Sequence, residues 1–536
     1  MKKIAGIAAG VVVALGVIGT AGAWYTGTQL PGVLQSAIAQ ANQQSQDALL
    51  GSGITAKLEL LSLETRLFSS IAHYRIAIDA PAYKKVPAHL ELLLVDNIEH
   101  GPLPASRLKR LNPWPVMAVS NYELEANELT RKWFDAAGGA APLGGQASLG
   151  YDGSTTGTLV FTPLDFAPTP TSTVRFSGLA LDVEASKHAT KVVVTGGMDS
   201  LLVSAADGGE NPIRAELRGL TLNSDQRLGS GDFYLGDSNF KLATAQITLG
   251  DQPAVLIKDL SQFGSLQEAS GLLAGRLGYD IGMVSYDGKD LAGMHMLWSL
   301  KDLDAAVVQS LLELYREKLT SIQQAQSLGQ DIADLDFSPA DEARLKTDLE
   351  RLLSARPQIA LEKYSIRSSS GEASLSMAVD LNQPESFELP PPELVRQMIA
   401  KVDARLSIAK AMIGDGVRAQ AMFGGETDAK AIEDQAAMFT EMGSGMALGT
   451  GLLTLEGDTL QASLHYANDK VTFNGQDMTV EEFAMFVMSK ANGLGGGGLG
   501  GDDQPQYDEA DEAYPEGGID DWDDAQEQPD EAPEEQ

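Results

Sequence analysis

Apolar and polar side chains alternate with a period of two over much of this chain. Tyr74-Arg75-Ile76-Ala77-Ile78-Asp79 puts Tyr, Ile and Ile on one side and Arg, Ala and Asp on the other, the pattern of a strand buried on one face. Residues 90–95, Leu-Glu-Leu-Leu-Leu-Val, read as its buried partner. Similar runs recur at 172–183, 191–203, 213–222, 241–249, 254–260, 359–367, 373–381 and 452–471. Gly, Asn, Asp and Pro punctuate them, as tight connections require. Many strands joined by short connectors predict an α+β body built on a predominantly antiparallel, curved sheet. Two of the runs share a core: Arg175-Phe176-Ser177-Gly178-Leu179-Ala180-Leu181 is matched by Glu216-Leu217-Arg218-Gly219-Leu220-Thr221-Leu222. That core is either a weak repeat or a glycine marking a bulge in each strand.

A helical period interrupts the strands in two places, near 304–354 and 391–412. Leu303, Val307, Leu311 and Leu314 fall on one face of a helix predicted from Asp304 to about Gln326. Ser338-Pro339-Ala340-Asp341 opens another, with Ser as N-cap, Pro at the first helical position and an acid three residues after the cap. Its apolar face is Leu345, Leu349, Leu352 and Leu353, and Pro357 stops it. Pro390-Pro391-Pro392 opens a third, whose predicted stripe is Val395, Met398, Ile399, Val402 and Leu406. Residues 412–446 have helical character with mixed faces and several Met, a candidate partner surface.

The longest apolar run stands at the start. Lys2 and Lys3 precede residues 4–23, which carry no charge, and the next ionisable side chain after Tyr25 is Asp47. About 20 residues at about 1.5 Å each span a hydrocarbon core of about 30 Å. Positive flanks stay in the cytoplasm, and Trp24-Tyr25 suits the membrane–water boundary. Residues 1–27 are therefore expected to be a single-pass signal-anchor with the body outside. Ala21-Gly22-Ala23 also fits signal-peptidase cleavage. Residues 28–50 read as a helical stalk and 51–490 as the body. The Gly/Leu stretch 491–501 reads as a linker, and the acidic remainder to 536 as a disordered tail.

Charge sharpens this division. The net charge is −35, and sixteen acids with no cation lie between Asp502 and Glu535, leaving 39 cations against 58 acids elsewhere. Such a balance repels nucleic acid. Cysteine is absent, so disulfides and thiolate metal sites are excluded. The six histidines show no metal-ligand spacing, and neither a G-x-S-x-G elbow nor a Walker-type loop occurs. No catalytic, cofactor or metal residue is predicted. One local group stands out: Asn97-Ile98-Glu99-His100-Gly101-Pro102-Leu103-Pro104, directly after a predicted strand. Glu99 and His100 could form an acid–base pair, or His100-Gly101-Pro102 could be turn chemistry. Asn474-Gly475 reads as a tight turn.

Trp24-Tyr25-Thr26-Gly27, Ile98-Glu99-His100-Gly101-Pro102-Leu103 and Val471-Thr472-Phe473-Asn474-Gly475 together resemble the landmarks of the YdgA-like family of bacterial proteins. They bracket most of the chain up to Lys490, and the acidic tail stands outside the pattern. The resemblance implies an inner-membrane anchor and a periplasmic body, with no catalytic residues to carry over. Two functions follow as expectations. The first is a non-catalytic, single-pass cell-envelope protein acting through protein contacts, as a homodimer or with other envelope proteins. The alternative is a lipid-binding or lipid-transfer module with an apolar β-groove for phospholipid, which at fold level looks like the AsmA-type envelope proteins. A hydrolase using Glu99 and His100 is a third reading, and it needs both to face one cleft.

Overall fold

The computed structural model describes residues 30–49, 54–79, 89–169, 171–206, 212–231, 233–327 and 337–494. The expected anchor at 1–27 and the acidic tail lie outside them. The chain divides into two units, 1–486 and 487–536; the strands all belong to the first.

Among the described residues twenty-two strands form one sheet. They are β1 (Thr55–Thr65), β2 (Ser69–Asp79), β3 (His89–His100), β4 (Ala118–Leu124), β5 (Leu143–Leu149), β6 (Thr155–Phe161), β7 (Leu164–Thr169), β8 (Ser172–Phe176) and β9 (Leu179–Ala185). The long strands follow: β10 (Lys191–Ala205), β11 (Ile213–Leu228), β12 (Tyr234–Leu249), β13 (Val255–Ala269), β14 (Leu272–Tyr286) and β15 (Lys289–Asp304). The last group is β16 (Gln358–Ser368), β17 (Gly371–Leu381), β18 (Ile399–Ala409), β19 (Thr454–Glu456), β20 (Thr459–Ala467), β21 (Lys470–Phe473) and β22 (Gln476–Thr479). Sequence neighbours pair antiparallel from β1 to β6, from β9 to β18 and from β20 to β22, while β6 joins β9 and β18 joins β20. The β7–β8 hairpin docks on the part of β10 that β9 leaves free. The result is an open, curved antiparallel sheet with several helices, an α+β fold.

Burial is uneven along this meander. The main core lies under β1–β6 and β9, where Ala72, Tyr74, Ile76, Leu94 and Ile98 are inaccessible to solvent. The helix Leu30–Ala48 helps to close it: Leu34 and Ala41 are fully buried there. This helix lies within the residues expected to be a stalk, and its small apolar face packs against β1. Asn42 fixes the contact, donating from Nδ2 to the Leu58 carbonyl at 2.9 Å and accepting the Leu58 N–H on Oδ1 at 2.7 Å. One amide thus satisfies both outward backbone groups of an edge residue, a place where an unpaired strand invites aggregation.

The helices largely follow their sequence signals. Asp304 caps the helix Ala305–Ser327 by accepting the N–H groups of Ala306 and Val307; Leu303 sits one residue before that cap, in β15. Ser338 and Asp341 form a reciprocal capping box at the start of Pro339–Ser354. The third helix corrects the expectation. It ends at Met398 and the chain turns directly into β18, so Ile399, Val402 and Leu406 belong to a strand. As a strand β18 fills the place between β17 and β20, whose facing backbone groups would lose their hydrogen-bonding partner if the helix continued. Residues 412–446 hold two helices, Met412–Phe423 and Ala429–Gly449, packed as a hairpin. The helix Val480–Leu494 continues into the segment expected to be linker.

Candidate functional site

Residues paired across strands share a face, and alternate residues along a strand face opposite ways. The register therefore decides what each surface carries. One transverse row reads Met198–Leu220–Leu242–Leu260–Ile281–Met294–Ile366–Ala373–Ile408–Leu460, apolar on every one of ten successive strands. Two residues along each strand from β11 on, the next row reads Leu222–Phe240–Gln262–Tyr279–Met296–Tyr364–Leu375–Leu406–Ala462. A third includes Leu277, Trp298, Leu361, Met377, Ala404 and Leu464. At about 4.8 Å per strand, the nine strands from β11 to β20 present an apolar band about 40 Å long.

This band is not covered as the N-terminal core is. Leu277, Leu300, Ile359, Ile366, Leu375 and Met377 each remain 36–40% exposed. Leaving large aliphatic groups in water forfeits roughly 25 cal/mol per Å², and contiguous exposed patches mark binding surfaces. The opposite face is polar: Asp280 meets His295 at 2.5 Å and Asp403 meets His465 at 2.7 Å. Lys401, then His465, holds the Asp403 carboxyl below its ordinary range. A crease bounds the band on one side. In β10 to β13 one residue per strand (Asp199, Gly219, Ala243, Asp259) drops out of register in line. Gly219 and Asp259 have φ of 66° and 52° there, and Gly178 has 94° between β8 and β9. The shared glycine of the two similar runs is thus a device for bending the sheet.

The motif singled out around residue 100 builds a loop. Glu99 and His100 are adjacent on β3, so they point to opposite faces, and no acid–base pair forms. The Glu99 carboxylate accepts the Ser106 N–H at 2.8 Å, at the start of the short helix Ala105–Lys109. His100 Nε2 lies 3.0 Å from Ser70 Oγ. Gly101 donates to the Met117 carbonyl, and a Cβ there would lie 1.9 Å from the Val116 oxygen, so only glycine fits. Gly101–Pro102 is cis. Asn474 and Gly475, with φ of 48° and 78°, make the two-residue turn between β21 and β22. Asn474 also accepts the Ser463 N–H and donates to the Leu452 carbonyl. Among the described residues no cluster of three or more His, Asp or Glu could hold a metal. None of the described helices is long and apolar enough to cross a membrane.

One polar group was not singled out from the sequence. Asp96 is fully buried between Ala72 and Tyr122. Ser120 Oγ donates to its Oδ1 at 2.8 Å, while its Oδ2 and the buried Tyr74 hydroxyl have no partner. Burial, eased by Ser120 and the Asn121 N–H, pushes this carboxyl up to about 7. Burial first and Asp96 second raise the phenols of Tyr74 and Tyr122.

The model of a family described as "Bacterial protein of unknown function (DUF945)" matches residues 1–481. The chain belongs to this family. Protein YdgA of Escherichia coli (strain K12) is 25% identical over 497 residues, covering 91% of this DUF945 chain and 97% of YdgA. The uncharacterized protein YihF of the same strain is 23% identical over 486 residues, 89% of this chain and 97% of YihF. An uncharacterized protein of Haemophilus influenzae is 34% identical over 145 residues, 27% of this chain and 37% of that protein. No solved structure matches this DUF945 chain.

Proposed function

We propose that this protein is a non-catalytic lipid-binding protein of the cell envelope, anchored in the inner membrane by residues 4–23 with its body in the periplasm. Acyl chains would lie along the apolar band of β11–β20. The observation that carries the reading is the unbroken run of aliphatic, thioether and aromatic side chains, most of them part-buried or exposed although Leu242, Leu361 and Leu460 are buried, with Gln262 as the polar exception in its two central rows. The band, about 40 Å long, exceeds the depth of one acyl layer, about half of a 30 Å hydrocarbon core. Alkyl chains need no hydrogen bonds, whereas a typical protein partner brings about one per 100–200 Å² of contact.

The test uses strand alternation as its own control. A photoreactive amino acid replaces Leu375 or Met377 on the band, or Ser376 between them, in the full-length chain in living cells. Phospholipid adducts at 375 and 377, and none at 376, are expected. Protein adducts alone at 375 and 377 would refute lipid binding and favour the second reading, action through protein contacts. That reading has its own support in Met438, Met442 and Met446, spaced four apart on one helix and 46–56% exposed.

A further inference from the structure

The most exposed large apolar side chains of the described residues gather at one end of the sheet. In the β1–β2 turn Leu67 is 81% and Phe68 76% exposed; in the loop between β3 and β4 Leu111 is 90% and Trp114 77% exposed. Leu103 and Leu108 add to the second loop. The two loops are neighbours, because the His100 N–H donates to the Phe68 carbonyl at 2.9 Å. Residues 101–117 contain Arg107, Lys109 and Arg110 and no acid, in a chain of net charge −35. Arg110 reaches Gln146 and Arg107 reaches Ser148, which brace the loop from below, and Lys109 is exposed.

A second observation concerns direction. Asn42 contacts Leu58 and Ser45 contacts Ala56, so the helix Leu30–Ala48 runs antiparallel to β1. Its first residue lies about 18 Å back from Asn42 at about 1.5 Å per residue. That displacement runs toward the Thr65 end of β1, where the two loops stand. The chain thus enters this helix, directly after the apolar run 4–23, at the same end of the sheet as the exposed cluster.

We infer that the loops 66–68 and 103–114 form a membrane-docking tip that inserts Leu111, Trp114, Leu67 and Phe68 into the headgroup region of a bilayer. Lys109 faces anionic lipid, and Arg107 and Arg110 add positive charge behind it. Trp at the water–hydrocarbon boundary, Leu and Phe below it and cations above it is the distribution that an interfacial segment requires. The motif Glu99-His100-Gly101-Pro102 then acquires a purpose: its hydrogen bonds hold the loop rigid while the loop's apolar side chains stay in water. This inference stands on the tip alone and holds whether or not the β11–β20 band carries acyl chains.

The absence of cysteine makes the test direct. The full-length chain carrying Leu111→Cys, spin-labelled, is reconstituted in vesicles of phosphatidylethanolamine and phosphatidylglycerol and isolated by flotation. Leu249→Cys, 47% exposed at the opposite strand end, is the control. Collisions of the Leu111 label with an aqueous nickel relaxant are expected to fall several-fold on membrane binding, with oxygen collisions rising, while the Leu249 label is unchanged. Adding Lys109→Glu is expected to reverse part of the shift in anionic vesicles and to have no effect in phosphatidylcholine. Equal nickel access at both positions, protection of the Leu111 label before vesicles are added, or failure to float would overturn the inference.

Discussion

Replacing Asp96 with Asn should remove most of the pH dependence of stability between pH 4 and pH 7. In the folded chain the carboxyl sits at about 7, against 3.8 for the ordinary group, because burial opposes ionisation more strongly than Ser120 and the Asn121 N–H favour it. The folded state therefore holds a proton that the unfolded state releases across this window. Stability falls as pH rises from about 4 to about 7, then levels off. About three pKa units at about 1.4 kcal/mol each amount to roughly 4 kcal/mol. An Asn side chain keeps an acceptor for Ser120 but places an NH₂ where Oδ2 finds no partner, at a cost of about 1–3 kcal/mol. The variant should be about 2 kcal/mol more stable than the parent at pH 8, and should lose that advantage at pH 4. Urea midpoints at a series of pH values measure it, with the difference between the two proteins as the readout so that other groups cancel. Parallel curves for the two proteins would refute the reasoning.

Other outcomes are expected. Gly101→Ala should cost more than about 3 kcal/mol or abolish accumulation, since the new Cβ would meet the Val116 and Met117 carbonyl oxygens at 1.9 and 2.6 Å; urea titration reads it. Asn42→Ala should cost about 2 kcal/mol by orphaning both outward groups of Leu58, and should raise the rate of aggregation seen by light scattering. Asn474→Ala should cost about 1–2 kcal/mol, losing two backbone contacts and a left-handed residue, again measured by urea midpoint. Glu372, held down to about 2 by Lys363 and then Arg367, contributes stability above its ordinary range that is lost as pH falls toward 2. Its carboxyl chemical shift should titrate near 2, and near 4 in Lys363→Ala with Arg367→Ala.

How much of this could be read from residues alone follows from the range of each interaction. Local patterns carried well where the cause is local. The Ser338–Asp341 box, the Asn474-Gly475 turn and the alternation in β2, β10, β11, β16 and β17 depend on neighbours within a few positions. Residues 399–406 misled because Ile399, Val402 and Leu406 also fit a helical stripe, and only the partners β17 and β20 settle the matter. β14 and β15 carry no clear alternation in the sequence. Glycine and charge dilute their alternation, and pairing with neighbours on both sides makes them strands.

The chain's own order of residues thus dictated the family, the antiparallel α+β class and which side of the clearly alternating strands is greasy, since these depend on composition and on spacing of a few residues. It left open where those sides meet. Pairing register, a contact between residues tens of positions apart, aligned single apolar residues from ten strands into one band. Packing also enclosed Asp96 in the core and set the start of the first described helix at the end of the sheet that carries Leu67, Phe68, Leu111 and Trp114.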